Sequence, residues 1–140
     1  MLLPVLGGSG KRVGIKVLLV DDEQAILDSL AEILQSAGYE VLCTLCGQEA
    51  INKASEFYPD VLLTDVLLPG LNGFELALQV KEKCPRCRLL LFSGQTATAM
   101  LAQSFGPTFT TLGYRFELLP KPLHPTALLA RLEQSLTQVA

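Results

Sequence analysis

The sequence has no excess of positive charge and no long apolar run, and each absence excludes a class of protein. Its 14 Asp and Glu residues outnumber its 11 Lys and Arg residues, which argues against a generally basic surface for nucleic acid. The opening stretch MLLPVLGGSG is too short to cross a bilayer. With Pro4 inside it and no positive residue before it, the stretch is also a poor secretory signal. We therefore expect a cytoplasmic protein with no membrane segment and no direct contact with DNA.

The composition is nevertheless that of a folded domain. Hydrophobic residues make up 49% of the 140 residues and charged residues 18%, a balance that argues against disorder. A chain of this length buries roughly two-thirds of the surface that its unfolded form exposes, which is enough for one core. We expect a flexible leader over residues 1–14 and one domain over residues 15–140.

Two enzyme motifs are present only in part. GGSGKR at residues 7–12 resembles a phosphate-binding loop, but it lacks the first glycine at the required spacing and has Arg12 where Ser or Thr is needed. A triad with Ser93 would need His124, the one histidine of the chain, yet LFSGQ is not a G-x-S-x-G elbow. The position of His124 before Pro125 is typical of a helix start.

The four cysteines form two C-x-x-C pairs, CTLC at 43–46 and CPRC at 84–87. Two such pairs can bind zinc, but these lie within predicted elements and not on the short turns that zinc sites use. CPRC also resembles a thioredoxin-type redox motif, which needs its first cysteine at the start of a helix. Here a helix precedes the motif and a strand follows it. We interpret all four cysteines as reduced and mostly structural, and leave open a disulfide between Cys84 and Cys87.

Short apolar runs alternate with segments of helical periodicity along the chain. Strands are predicted at residues 15–20, 39–44, 60–65, 88–94 and 116–120. Helices are predicted before Gly38, at 48–58, at 71–84 with Asn72 and Glu75 as a capping pair, within 95–115 and from about Pro125. Continuous apolar runs such as IKVLLV are typical of parallel strands that are buried on both faces. The alternation predicts an open, doubly wound α/β sheet.

Five polar side chains fall at or just beyond the carboxyl ends of the predicted strands: Asp21, Asp22, Asp65, Ser93 and Lys121. Because ligands bind at this edge of such sheets, we expect the five side chains to converge on one rim. Clustered carboxylates repel one another, and one of them should be pushed towards its protonated form unless a cation lies among them. Mg²⁺ prefers such oxygen ligands. The sequence therefore predicts a Mg²⁺ site at the rim.

In their order and spacing these residues resemble the receiver domains of two-component response regulators. The resemblance rests on VLLVDDE at 17–23, LLTDVLLPGLNG at 62–73, LLLFSG at 89–94 and LPKP at 119–122, and it covers residues 15 to about 138. It implies a flavodoxin-like, doubly wound five-stranded parallel sheet in the order 2-1-3-4-5 with about five helices. It also implies a cis peptide bond between Lys121 and Pro122.

The same resemblance implies a role for each residue at the rim. Asp65 would accept a phosphoryl group from phosphohistidine on a sensor histidine kinase or a histidine phosphotransfer protein. Mg²⁺ would be held by Asp21, Asp22, Asp65 and the backbone carbonyl of Leu67. Ser93 would hydrogen-bond a phosphoryl oxygen, and the Lys121 ammonium would pair with the phosphoryl charge. These roles agree with the chemistry, because a carboxylate that attacks an anionic phosphoryl group needs nearby positive charge.

Two features depart from the family pattern. Many receivers carry an aromatic switch residue three positions before the lysine, where this chain has Leu118. Phe116 lies on the same strand face and could substitute, but its ring would sit about 7 Å further along the strand. The segment from Ser93 to Lys121 is also longer than the family's, and we expect the Gly106-Pro107 pair to break it. Its aromatic residues, Phe105, Phe109 and Tyr114, form either local core, which we favour, or a partner surface.

The favoured function is a stand-alone phosphoacceptor module that acts through a downstream protein, with an output face formed by the fourth helix, fifth strand and fifth helix. The resemblance leaves a homodimer open. The alternative is a receiver-like binding module that is never phosphorylated. A third class, a phosphohydrolase of the aspartyl-phosphate kind, fits less well because Leu67 stands where such enzymes have a second Asp.

Overall fold

The computed structural model describes residues 14–94 and 96–137. The predicted leader at residues 1–14 lies outside these ranges apart from Gly14. Within the described residues five strands alternate with five helices. The strands are β1 (Lys16–Val20), β2 (Glu40–Thr44), β3 (Val61–Asp65), β4 (Arg88–Ser93) and β5 (Glu117–Pro120). The helices are α1 (Gln24–Ser36), α2 (Gly47–Phe57), α3 (Gly73–Lys83), α4 (Thr96–Leu112) and α5 (Pro125–Thr137).

The strands form one parallel sheet in the order β2-β1-β3-β4-β5, as predicted. β1, β3 and β4 occupy its centre, where continuous apolar runs suit burial on both faces. In the register of the sheet Val20 pairs with Thr64, and Asp65 pairs with Phe92. The carboxyl ends of β1, β3 and β4 therefore finish side by side at one edge.

Two hydrophobic cores, one on each face of the sheet, fix the helices. On one face α1 and α5 bury residues such as Leu34 and Leu132 against alternate strand residues. On the other face α2, α3 and α4 cover the sheet, with Phe74 and Phe109 fully buried. Each large side chain that leaves water stabilises the fold by about 1.5–3 kcal/mol, so packing on the sheet dominates helix placement.

Local hydrogen bonds and backbone conformations explain where several helices begin and end, and most of these positions were predicted. Asn72 accepts a hydrogen bond from the Glu75 backbone N–H at 3.0 Å, and Glu75 accepts one from the Asn72 N–H at 3.1 Å, so the predicted capping box is confirmed. α5 begins at Pro125, directly after His124, as expected. α2 ends at Phe57, and the capping residue Tyr58 adopts the left-handed conformation with φ 52°.

α4 corrects one expectation. The Gly106-Pro107 pair was predicted to interrupt this segment, yet the helix runs through both residues. A proline inside a helix removes the hydrogen bond to the carbonyl four residues earlier, here that of Gln103. Gln103 and Pro107 are both exposed, so water can satisfy that carbonyl. On the inner side Phe105 and Phe109 pack on Phe74, which confirms that the aromatic residues form local core.

The cysteines are free thiols, in agreement with the structural interpretation. Cys84 and Cys87 are buried, and burial raises the pKa of both thiols, which keeps them protonated and unreactive. Across residues 14–94 and 96–137, the cysteines do not appear in any group of three or more side chains that could share a metal ion. None of the described helices has both the length and the apolar character needed to span a membrane.

Candidate functional site

The five predicted rim residues do come together at the carboxyl edge of the sheet. Asp21 and Asp22 directly follow β1, Asp65 and Ser93 end β3 and β4, and Lys121 directly follows β5. Parallel strands bring all of their carboxyl ends to the same edge, so residues far apart in sequence meet there. We call the three Asp residues the acidic cluster.

The acidic cluster is tight and only partly hydrated. Each of its residues offers one carboxylate oxygen, and these oxygens all lie within 4.8 Å of one another. Asp21 is 0% exposed and Asp65 is 7% exposed, whereas Asp22 is open to water. Like charges this close repel strongly where water is partly excluded. The three groups therefore favour a bound cation.

Asp21 carries the clearest sign of a missing partner. Its Oδ1 accepts a hydrogen bond from the Glu23 backbone N–H at 2.8 Å. Its Oδ2 is buried without a hydrogen-bond partner among the described residues. Desolvation raises the pKa of Asp21 above the usual range for a carboxyl group, and the nearby Asp65 carboxylate raises it further. A hard cation beside Oδ2 would relieve both effects.

Asp65 is held by two donors. The Lys121 ammonium donates to its Oδ2 at 3.0 Å, and the Leu67 backbone N–H donates to its Oδ1 at 3.2 Å. Lys121 in turn lies 5.3 Å from the centre of the Phe92 ring, a cation–π contact that the sequence analysis missed. Phe92 stands directly before Ser93 in LLLFSG, so an aromatic residue at the end of this strand was the sequence feature that could have predicted the contact.

Backbone contacts tie Lys121 to the end of β4. The Lys121 N–H donates to the Ser93 carbonyl at 2.9 Å, and the Lys121–Pro122 peptide bond is cis, as the resemblance to receiver domains implies. Gly94 leaves room for the lysine stem, because a Cβ at this position would lie 3.0 Å from the Lys121 Cβ. Ser93 follows the register partner of Asp65, which places this residue at the same edge of the sheet.

Gly73 supports the end of β3, and the sequence analysis did not single it out for this. A Cβ on Gly73 would lie 2.5 Å from the Asp65 carbonyl oxygen and 2.9 Å from the Val66 Cα. The Gly73 N–H also donates to the Val66 carbonyl at 2.8 Å. The first turn of α3 thus packs directly on the backbone that carries Asp65, which only glycine permits.

The aromatic switch position is occupied by a leucine that is 38% exposed, Leu118. Phe116 does not take its place, because its ring lies 4.8 Å from the Phe109 ring centre and 5.3 Å from that of Phe74. These contacts fix Phe116 in the core beneath α4. Neither residue therefore supplies a ring beside Ser93.

A groove of about 500 Å³ opens next to Lys121. Its walls are apolar residues of α1, including Ile26 and Ile33, and residues after β5, including Pro122 and Leu123. Ile26 is 37% exposed, which is unusual for an isoleucine on a surface helix. The groove therefore offers an apolar surface that reaches the edge of the acidic cluster.

The residues present fit Mg²⁺. The ion takes carboxylate, carbonyl and water oxygens in an octahedral arrangement and keeps several of its waters. The acidic cluster offers three carboxylates, one with an unpartnered buried oxygen, and the exposed side of Asp22 leaves access for water.

Comparison with known proteins places this arrangement in context. The sequence model of the family described as response regulator receiver domain matches residues 17–133. The chemotaxis protein CheY4 of Vibrio cholerae is 31% identical over 86% of this chain and 98% of its own, with a TM-score of 0.73. A CheY-like receiver domain protein of Methanospirillum hungatei is 26% identical over 87% of this chain and 93% of its own, with a TM-score of 0.73. The BeF3-activated DrrB receiver domain is 29% identical over 89% of this chain and 98% of its own, with a TM-score of 0.71.

Proposed function

This chain belongs to the response regulator receiver domains of two-component systems, and we propose that Asp65 is its phosphoacceptor in a Mg²⁺-dependent phosphorelay. Receiver domains are signalling modules rather than conventional enzymes. The observation that carries the proposal is the pairing of Asp65 with Lys121 at 3.0 Å beside two further carboxylates. A structural ion pair alone would not need the acidic cluster.

Asp21, Asp22, Asp65 and the backbone carbonyl of Leu67 would hold the ion. When bound, Mg²⁺ supplies positive charge to the oxygens of the transferring phosphoryl group. The orphaned Asp21 Oδ2 supports this assignment, because a buried carboxylate oxygen without a donor is destabilising unless a cation compensates it.

The transfer step uses this chain's own residues as nucleophile and charge partners. An Asp65 carboxylate oxygen attacks the phosphorus, the bond from phosphorus to the donor histidine nitrogen breaks, and that nitrogen keeps the electron pair. The Lys121 ammonium, already bonded to Asp65, moves only slightly to neutralise a phosphoryl oxygen. The Ser93 hydroxyl donates a hydrogen bond to another phosphoryl oxygen. Gly94 has no side chain that could obstruct the incoming phosphoryl group.

The phosphodonor docks on the groove beside Lys121. Its apolar walls suit a helix of a histidine kinase or histidine phosphotransfer protein, whose phosphohistidine must reach Asp65. We expect Ile26→Ala to slow transfer from such a protein about tenfold while leaving the reaction with acetyl phosphate unchanged. Leu45→Ala is the control, because Leu45 is 44% exposed but does not line the groove. Equal slowing by both variants would exclude the groove.

The output face comprises α4, the edge strand β5 and α5. Leu112 at the end of α4 is 53% exposed and Leu118 in β5 is 38% exposed, so apolar side chains are available to a downstream protein. Phosphorylation should shift the NMR signals of this face as well as those of the rim. Shifts confined to residues around Asp65 would contradict this assignment.

Mass spectrometry with acetyl phosphate and Mg²⁺ tests the central proposal. The wild type should gain one phosphoryl group, and the gain should disappear in Asp65→Asn and when Mg²⁺ is left out. Asp28→Asn, a change at an exposed position of α1, should leave it intact. A wild type that gains no mass and does not respond to beryllofluoride would favour the unphosphorylated binding module. Steady hydrolysis of unrelated phosphoesters would favour a hydrolase.

A further inference from the structure

A second cavity lies at the end of the sheet opposite the acidic cluster. Its volume is about 270 Å³, close to the lower end of small-molecule pockets at roughly 300 Å³. The walls come from the end of α3, the first residues of β4 and β5, the turn after α4, and α5. We call it the amino-end cavity, because the amino ends of β4 and β5 border it.

The charge lining the amino-end cavity is positive, although the whole chain carries a net charge of −3. Lys81 and Arg115 line it, together with a single carboxylate among the lining residues, Glu117. Arg88 lines it as well, but its guanidinium already donates to the Ser135 and Arg86 carbonyls and does not count towards the excess charge. Glu117 already accepts a hydrogen bond from Arg131 at 3.2 Å. The cavity therefore holds an excess of cationic groups that would attract an anion.

Lys81 is the most informative of these groups. Its ammonium is partly buried and donates to the Cys87 carbonyl at 2.8 Å, while the Tyr114 ring centre lies 5.9 Å away. No carboxylate in the described part of the chain lies within ion-pair distance of it. An ammonium has three donors, and the Cys87 carbonyl takes one. Burial, with an additional effect of nearby Arg88, lowers the pKa of Lys81, as expected for a cation without a countercharge.

Part of the remaining wall is aromatic or aliphatic. Tyr114 and Phe116 line the cavity with Leu89 and Leu112. The Tyr114 ring also contacts Phe109, and Phe116 belongs to the same ring cluster, so both aromatic walls are fixed from behind. Fixed aromatic walls favour a ligand with a planar apolar part.

We propose that the amino-end cavity binds a small organic anion, a carboxylate or a phosphate monoester with a planar apolar group. The anionic group lies against Lys81, with Arg115 at the rim, and the planar group lies against Tyr114. The alternative is that Lys81 serves only to fix the turn before β4 through the Cys87 carbonyl. The proposal is independent of phosphorylation, since the cavity and the acidic cluster lie at opposite ends of the strands.

NMR titration of the ¹⁵N-labelled chain tests the proposal. Phenyl phosphate and benzoate are the probes, and benzyl alcohol is the matched neutral molecule. The titrations use the wild type without Mg²⁺, because the three carboxylates of the acidic cluster then repel an anion and Lys121 stays paired with Asp65. We expect saturable shifts in residues 81–89 and 112–117 with at least one anion and only weak shifts with benzyl alcohol. A response to one anion alone identifies the carboxylate or the phosphate as the preferred group.

Two variants with equal charge loss separate the cavity from general surface attraction. Lys81→Gln should weaken binding about tenfold, the loss expected for one charge-assisted hydrogen bond. Lys83→Gln, at an exposed position on the same helix, should change affinity little. Equal weakening by both variants, no saturable shift with either anion, or shifts at the opposite edge of the sheet would overturn the proposal. If Lys81→Gln does not fold, Arg115→Gln takes its place and should still weaken binding severalfold.

Discussion

Replacing Asp21 by Asn should stabilise the metal-free protein. The two side chains have nearly the same shape, so the exchange removes charge without creating a cavity. The Asn oxygen can keep the hydrogen bond from the Glu23 N–H. Its amide nitrogen would then occupy the place of the orphaned Oδ2 and face the remaining carboxylates as a donor.

The size of the effect follows from the geometry of the acidic cluster. Two unit charges 4.8 Å apart repel by about 3.5 kcal/mol at an effective dielectric constant of about 20. Lys121 offsets part of this repulsion through its bond to Asp65, and water around Asp22 screens another part. We therefore expect a net gain of about 2 kcal/mol in the free energy of unfolding. For a domain of 140 residues that gain raises Tm by about 7 °C.

Thermal unfolding followed by circular dichroism measures this shift in chelator-treated buffer. Burial raises the pKa of Asp21 in the folded state above its unfolded value. Stability that is present while the carboxyl is protonated is therefore lost as pH rises through the folded-state pKa. Asn cannot ionise, so the variant should gain its advantage over the wild type only as pH rises from the acid range towards neutrality.

Mg²⁺ should reverse the ranking of the two proteins. At one hundred times its dissociation constant the ion stabilises the wild type by about 2.7 kcal/mol, which exceeds the gain from the exchange, and it should stabilise Asp21→Asn much less. Asp22→Asn is the control, since Asp22 is exposed and its replacement should change metal-free stability by at most about 0.5 kcal/mol. An unchanged or lower Tm of metal-free Asp21→Asn at neutral pH would refute the reasoning.

Three further predictions concern the scaffold, and urea unfolding checks each of them. Gly73→Ala should cost about 2–3 kcal/mol because its Cβ meets the Asp65 carbonyl. Gly106→Ala should change stability by less than about 1 kcal/mol, because the better helix propensity of alanine is opposed by crowding against Pro107. Similar losses at both sites would contradict the close packing at Gly73. Tyr58→Gly should gain about 0.5–1 kcal/mol by relieving the left-handed backbone, since the side chain is 64% exposed; a loss would show that the ring contributes packing. Asn72→Ala should lose about 1 kcal/mol with the capping box, and an unchanged midpoint would argue against the cap.

The residues of the rim could be predicted from the sequence because polar side chains stand directly at the ends of apolar runs that form strands. VLLVDDE and LLTD each show an apolar run that stops at an acidic residue, and topology then dictates that such ends meet. The order of the strands and helices along the chain and their hydrophobic periodicity were sufficient for that prediction. The same logic placed Lys121, since it directly follows the last strand, which ends at Pro120.

The sequence could not predict which residues of different helices and strands contact one another. The close approach of Gly73 to Asp65 depends on how α3 meets β3, and a glycine in PGLNG is equally explained by a turn. The continuity of α4 through Pro107 depends on Phe105 and Phe109 packing on Phe74, which outweighs the lost hydrogen bond. Tertiary packing overrides local propensity in this way.

The packing of the aromatic residues around α4 determines where phosphorylation at the rim would change the rest of the structure. Phe116 is fixed by rings on both sides, and Leu118 presents no ring that could turn inward. Ser93 ends β4, and the rings of Phe105 and Phe109 anchor α4, which follows it, to Phe74 of α3. Movement of Ser93 towards a phosphoryl group would therefore pull on the start of a helix whose centre is anchored. We expect the response to appear as a change in the first turns of α4, because packed aromatic cores resist gradual deformation.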